Sequence, residues 1–169
     1  MLVRLLNPSD AESHHALRLR GLKENPEAFG SSYEEEVDFP LEKIRSRIPE
    51  SGDNFVLGAF DDKNQLAGIA TFRRETHLKS LHKGNVYGMY VAPESRGKGF
   101  GKALLTDLIQ RVQAVQGVER INLDVVTTME PARNLYLSHG FAIYGLEKSA
   151  LKHQGKYYDV EYLVLPLTR

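Results

Sequence analysis

The sequence predicts a mixed α/β domain in the order β-α-α-β-β-β-α-β-α-β-β. Three observations lead there. The middle of the chain is β-rich, with two apolar runs joined by a polar loop. A third apolar run meets a glycine-rich basic turn that opens into a helix with one apolar stripe. A further strand follows that helix directly, and a helical crossover makes the two flanking strands parallel.

The elements follow in order. Val3 to Leu6 reads as a first strand, closed by Asn7-Pro8. Ser9 and Glu12 have capping-box spacing, so a helix starts there and stops before Asn25-Pro26. Residues 27–38 read as a loop ending in an acidic cluster, Glu34, Glu35, Glu36 and Asp38. Leu41, Ile44 and Ile48 have helical spacing, with Pro40 suited to the first turn. Phe55 to Phe60 and Leu66 to Arg73 form a hairpin across Asp61 to Gln65. Val86 to Val91 is the next strand, closed by Pro93. Leu104, Leu105, Leu108, Ile109, Val112 and Val115 form the stripe of the helix that Gly117 ends. Ile121 to Val126 is a strand, and Pro131 to His139 a short helix with Gly140 as its C-cap. Phe141 to Leu146 and Tyr157 to Leu165 are closing strands joined by a polar loop.

A chain of 169 residues suits one domain over 1–169 with a single sizeable core. The formal net charge is zero, so no global field points to nucleic acid or to an anionic membrane. There is no cysteine, which removes disulfides, thiolate metal sites and a cysteine nucleophile. No His–carboxylate spacing suggests a metal. The first residues lack the long apolar segment of a signal peptide, and no apolar run reaches bilayer length. The expectation is a cytoplasmic protein without nucleic-acid or membrane partners. An exposed edge strand near the C-terminus would permit a homodimer.

Arg96, Gly97, Lys98, Gly99, Phe100, Gly101 and Lys102 form the basic turn. Free N–H groups at a helix start cradle phosphate, and glycines let that backbone come close. A tight turn whose glycines serve only geometry would read the same way in isolation.

Two motifs decide between these readings. Arg96-x-x-Gly99-x-Gly101, after a strand ending Tyr90-Val91-x-Pro93, resembles the coenzyme-A-binding motif of the GNAT acyltransferase superfamily. Glu130 to Phe141, with Tyr136 and Gly140, resembles its second signature. Asn25 to Glu36 is similar to the N-terminal segment of many bacterial members. The resemblance implies a central twisted mixed sheet of about seven strands flanked by about four helices. It implies an N-acetyltransferase that moves acetyl from acetyl-coenzyme A to a primary amine of a small molecule or peptide. Met89, Tyr90 and Val91 would pair with pantetheine, and Arg96 to Lys102 would hold the pyrophosphate. Ala132 and Arg133 are further expected contacts. A backbone N–H near Tyr90, at a strand bulge, would receive the oxyanion.

The resemblance gives Tyr136 the role of general acid toward the departing thiolate, although a tyrosine at helical spacing equally serves as a core aromatic. Asp124 is the candidate base, twelve residues before Tyr136; a solvent-facing strand residue is the competing reading. Glu75 and His82 are weaker candidates for the base. Two positions depart from the family pattern. Asn85 stands where some members carry a basic glutamate, and Met129 where many carry asparagine. These departures motivate a rival reading, a coenzyme-A-binding sensor without catalysis. A generic nucleotide-phosphate binder is a third, but the Lys-Ser/Thr of a P-loop is missing.

Overall fold

The structure, a computed structural model, describes residues 1–50 and 52–168. The chain runs β1 (Leu2–Leu5), α1 (Ala11–Glu24), α2 (Tyr33–Glu36), α3 (Leu41–Ser46), β2 (Phe55–Phe60) and β3 (Leu66–Arg74). It continues through β4 (Lys83–Val91), α4 (Phe100–Gln113), β5 (Arg120–Val126), α5 (Glu130–Ser138), β6 (Ala142–His153) and β7 (Lys156–Pro166). The strands make one sheet in the order β1-β2-β3-β4-β5-β7-β6. Among the described residues only β4 and β5 pair in parallel, as the helical crossover through α4 requires.

Both faces of the sheet are covered. On one face the stripe of α4 (Leu104, Leu105, Leu108, Val112) packs with Phe72, Ile121 and Leu163, all fully buried. On the other, Leu17 of α1 and Ile44 of α3 pack on Val56, Ile69 and Tyr90. β2 alternates between the two cores, so every one of its residues is buried.

Five expectations need correction. α4 ends at Gln113 with Ala114 as its C-cap, so Val115 lies beyond the helix and Gly117 does not end it. The N-terminal capping box is formed by Asn7 and Asp10 rather than by Ser9 and Glu12, so a 3-10 turn at Pro8–Asp10 precedes α1. Pro40 is the N-cap of α3, with extended backbone, and not a first-turn residue. The stretch read as an acidic loop contains α2, because Ser32 and Glu35 make a reciprocal capping box that starts a helix inside the run. The polar loop expected after Leu146 is strand: β6 runs on to His153, and the hairpin turns at Gln154 and Gly155, both with positive φ (49° and 77°). β6 is an exposed edge strand held by backbone pairing to β7 and interrupted by two irregularities. It therefore carries no alternation of buried apolar residues that a sequence reading would detect.

Candidate active site

β4 and β5 share only three register pairs, Lys83–Arg120, Gly84–Ile121 and Asn85–Asn122. Both strands continue to Val91 and Val126, so they part company and leave a cleft of about 930 Å³ between them. The cleft lies beyond the carboxyl ends of the paired segments, where open α/β sheets place their ligands. Along Val86 to Val91 the β4 backbone edge that would face β5 opens on this space.

A bulge shapes its wall. Ile69 pairs with Tyr90 but Thr71 with Tyr87, so Ala70 faces both Gly88 and Met89. Gly88 sits at φ 56°, a left-handed conformation that glycine adopts without a Cβ penalty.

The basic turn closes one end. A 3-10 turn at Pro93–Ser95 leads to Gly97 and Gly99, and Gly99 (φ 85°) is the N-cap of α4. Among the described residues no side chain caps that helix, which leaves its first-turn N–H groups for a ligand. A Cβ at Gly97 or Gly99 would meet no protein atom within 4 Å, so the glycines leave open space above the turn. Arg96 braces the turn: its guanidinium donates to the Val91 carbonyl (3.0 Å) and to Asn25 Oδ1 (3.1 Å).

Of the coenzyme contacts and the two principal catalytic candidates singled out in the sequence, all line this cleft except Lys98 and Arg133. Arg133 turns away and donates from Nε to Glu161 at 2.7 Å on β7. Tyr90 contributes backbone to the wall, while its hydroxyl donates to Glu24 at 3.0 Å on the α1 side. Met129 lines the cleft as the N-cap of α5, with no side-chain capping bond.

Tyr136 projects from α5 with its ring buried and edge-on to Phe141, centroids 6.0 Å apart. Burial, with a smaller contribution from the Asp124 charge, pushes its hydroxyl pKa up to about 12. Asp124, on β5 opposite Tyr162, is open to the cleft. The surrounding walls desolvate it and raise its pKa, and no hydrogen bond or ion pair engages its carboxylate among the described residues. The weaker base candidates stand elsewhere. Glu75 accepts from Asn85 Nδ2 at 2.7 Å, and neither Glu75 nor His82 lines the cleft.

Sequence reasoning missed Arg18, the Phe29–Ser31 wall and Tyr87, all of which line the cleft. Arg18 comes from a helix whose pattern reads only as amphipathic, so its place depends on packing that no local signal carries. Phe29–Ser31 also borders a second cavity of about 480 Å³, between the start of α2 and the β6–β7 turn.

Residues 20–141 match the acetyltransferase (GNAT) family. A mycothiol acetyltransferase of Beutenbergia cavernae is 31% identical over 140 residues, 82% of this chain and 44% of that protein. The L-amino acid N-acetyltransferase AaaT of Escherichia coli is 30% identical over 77 residues, 46% of this chain and 48% of that protein. The chain spans about half the length of these curated relatives. Among solved structures, an acetyltransferase of the GNAT family from Streptococcus pneumoniae superposes with a TM-score of 0.88 at 25% identity, covering 98% of this chain and 99% of that one. A phosphinothricin acetyltransferase from Sinorhizobium meliloti, solved with acetyl-coenzyme A, has the same fold, with a TM-score of 0.78 at 22% identity over 98% of this chain and 88% of that one. The chain belongs to the acetyltransferase (GNAT) family.

Proposed function

We propose that this protein moves an acetyl group from acetyl-coenzyme A to the primary amine of a small molecule by direct attack. The observation that carries the reading is a single cleft joining an uncapped, glycine-lined helix start to Asp124 and Tyr136. Relatives named for small-molecule acceptors support that acceptor class.

The residues present fit the coenzyme. The turn from Arg96 to Lys102 offers free N–H groups and open space for a pyrophosphate. The β4 edge from Val86 to Val91 offers backbone partners for the amides of pantetheine. When bound, acetyl-coenzyme A supplies a thioester, an acyl donor that an amine opens without a protein nucleophile. Asp124 accepts the proton that an ammonium must lose before it attacks, and its raised pKa brings it closer to that task. The bulge at Gly88–Met89 would supply a backbone N–H to the thioester carbonyl oxygen as charge develops there. Tyr136, protonated at neutral pH because its pKa is about 12, gives its hydroxyl proton to the departing sulfur and regains one from water.

The test is acetylation of an amine panel, followed by release of free coenzyme A. Tyr136→Phe lowers kcat on the order of 100-fold and leaves acetyl-coenzyme A affinity unchanged. Undiminished kcat in that variant removes Tyr136 from the chemistry. Coenzyme binding with no turnover of any amine would favour the sensor reading that Asn85 and Met129 motivate.

A further inference from the structure

Arg18 is held in an arrangement that salt bridging alone does not require. Its Nε and Nη2 donate to the two carboxylate oxygens of Glu36 at 2.6 and 2.7 Å. Glu36 is 2% exposed and has a second cation, Arg47, at 3.7 Å. Two guanidinium groups thus face one buried carboxylate, and the cluster keeps a surplus positive charge. Arg18 Nη1 makes no hydrogen bond among the described residues. It lies against the bulge of β4, where a Cβ on Gly88 would sit 2.9 Å from it. The Phe29 ring, 5.7 Å from Cζ, flanks the guanidinium.

The same side chain lines the coenzyme cleft. Away from the phosphate turn, the charged residues lining that cleft are Arg18 and Asp124, of opposite sign. A partly desolvated guanidinium with one nitrogen unpaired is a receptor for an oxyanion, because charged hydrogen bonds to planar carboxylates are among the strongest available. Neutralising Glu36 would use only Nε and Nη2. It would need neither a place in the cleft wall nor a glycine opposite Nη1.

We propose that the acceptor amine also carries a carboxylate or a similar oxyanion, and that Arg18 Nη1 binds it beside the Gly88 bulge while Asp124 attends the ammonium. The acceptor is then zwitterionic, of the amino-acid class. Glu36 is a positioning residue: its fork fixes the plane of the guanidinium and aims Nη1. The inference rests on the transferase reading above and deepens it.

The test compares L-α-amino acids with their primary carboxamides, which keep the α-amine and lose the carboxylate. Rates are referred to the unprotonated amine, because the two series differ in basicity. The wild-type protein is expected to favour the acids in kcat/KM by on the order of 10- to 100-fold, with the difference in KM. In the double variant Arg18→Met/Glu36→Gln, both charges of the pair are removed together, so neither is stranded. There the preference falls to about one, because kcat/KM on the acids drops more than kcat/KM on the carboxamides. Arg18→Lys, which keeps the charge and loses the fork, is expected to fall between the two. Equal kcat/KM for both series in the wild-type protein overturns the assignment, as does a preference that survives the double variant. Turnover confined to amines without an oxyanion does the same. Absence of acetyl-coenzyme A binding overturns the transferase reading as well; binding and turnover without acid preference overturn only this inference.

Discussion

The two residues proposed for the chemistry both have raised pKa values, Tyr136 through burial in the core and Asp124 through desolvation by the cleft walls. The Tyr136 hydroxyl, pushed to about 12, keeps its proton at neutral pH. Asp124 is raised as well, so it becomes a base only above the usual aspartate range. Asp124→Asn is therefore expected to lower kcat by on the order of 100-fold or more. It is also expected not to lower the Tm at neutral pH, since the wild-type charge is desolvated and has no partner among the described residues. Thermal melts and steady-state rates on one preparation check both halves. A loss of Tm equal to that of a core substitution would mean that Asp124 is structural. The residue roles at this scale divide by their origin. That Tyr136 and the basic turn border one cleft was legible in the sequence because each lies inside a contiguous motif. The Arg18–Glu36 fork was not, because it joins residues from two helices through packing alone.

At the scale of elements, the bulge in β4 is the feature on which the site turns. It redirects the strand, places Gly88 in a left-handed conformation and leaves room for Arg18. Gly88→Ala puts a Cβ at φ 56° and within 2.9 Å of Arg18 Nη1. The expected cost is about 1–2 kcal/mol of stability. Chemical denaturation reads that cost, and a kcat that falls more than stability predicts would locate the bulge in catalysis. Unchanged kcat and stability would show that the bulge tolerates a side chain. Elements differed in how far the sequence announced them. β2 and the stripe of α4 were legible because their apolar residues face a core and turn residues bound them. β6 was half-hidden, since most of its side chains face solvent and it is held mainly by pairing to β7. α2 was missed because charged residues fill it and its start depends on the Ser32–Glu35 box.

For the whole molecule, acid should act through the two α1 histidines, His14 and His15, whose pKa values burial lowers, and most through the more deeply buried His14. His14, on α1, is buried with Nδ1 unpartnered, and burial lowers its pKa to about 4. The folded state therefore binds this proton less readily than the unfolded chain, whose histidine titrates near 6.5. The stability that the neutral ring contributes is fully present above pH about 6.5 and is lost as pH falls toward about 4, on the order of 3 kcal/mol in all. His14→Leu is expected to flatten the Tm–pH curve over that window, measured by thermal denaturation at intervals of pH. A wild-type curve already flat there would show that His14 does not govern acid sensitivity. At Glu36 desolvation pushes the pKa up, but the Arg18 hydrogen bonds and the Arg18 and Arg47 charges outweigh it and hold the pKa below the ordinary glutamate value. Its contribution is present above the ordinary glutamate pKa and lost only as pH falls through that lowered value.

The most direct test of the whole account is calorimetric titration of acetyl-coenzyme A into the wild-type protein and into Gly99→Val. Gly99 caps α4 at φ 85° with open space where a Cβ would go, so valine strains the turn and fills the place assigned to phosphate. The account predicts binding at about micromolar affinity in the wild type. It predicts loss of that binding in the variant, which still unfolds cooperatively. A folded wild-type protein that does not bind, or a variant that binds as tightly, would contradict it.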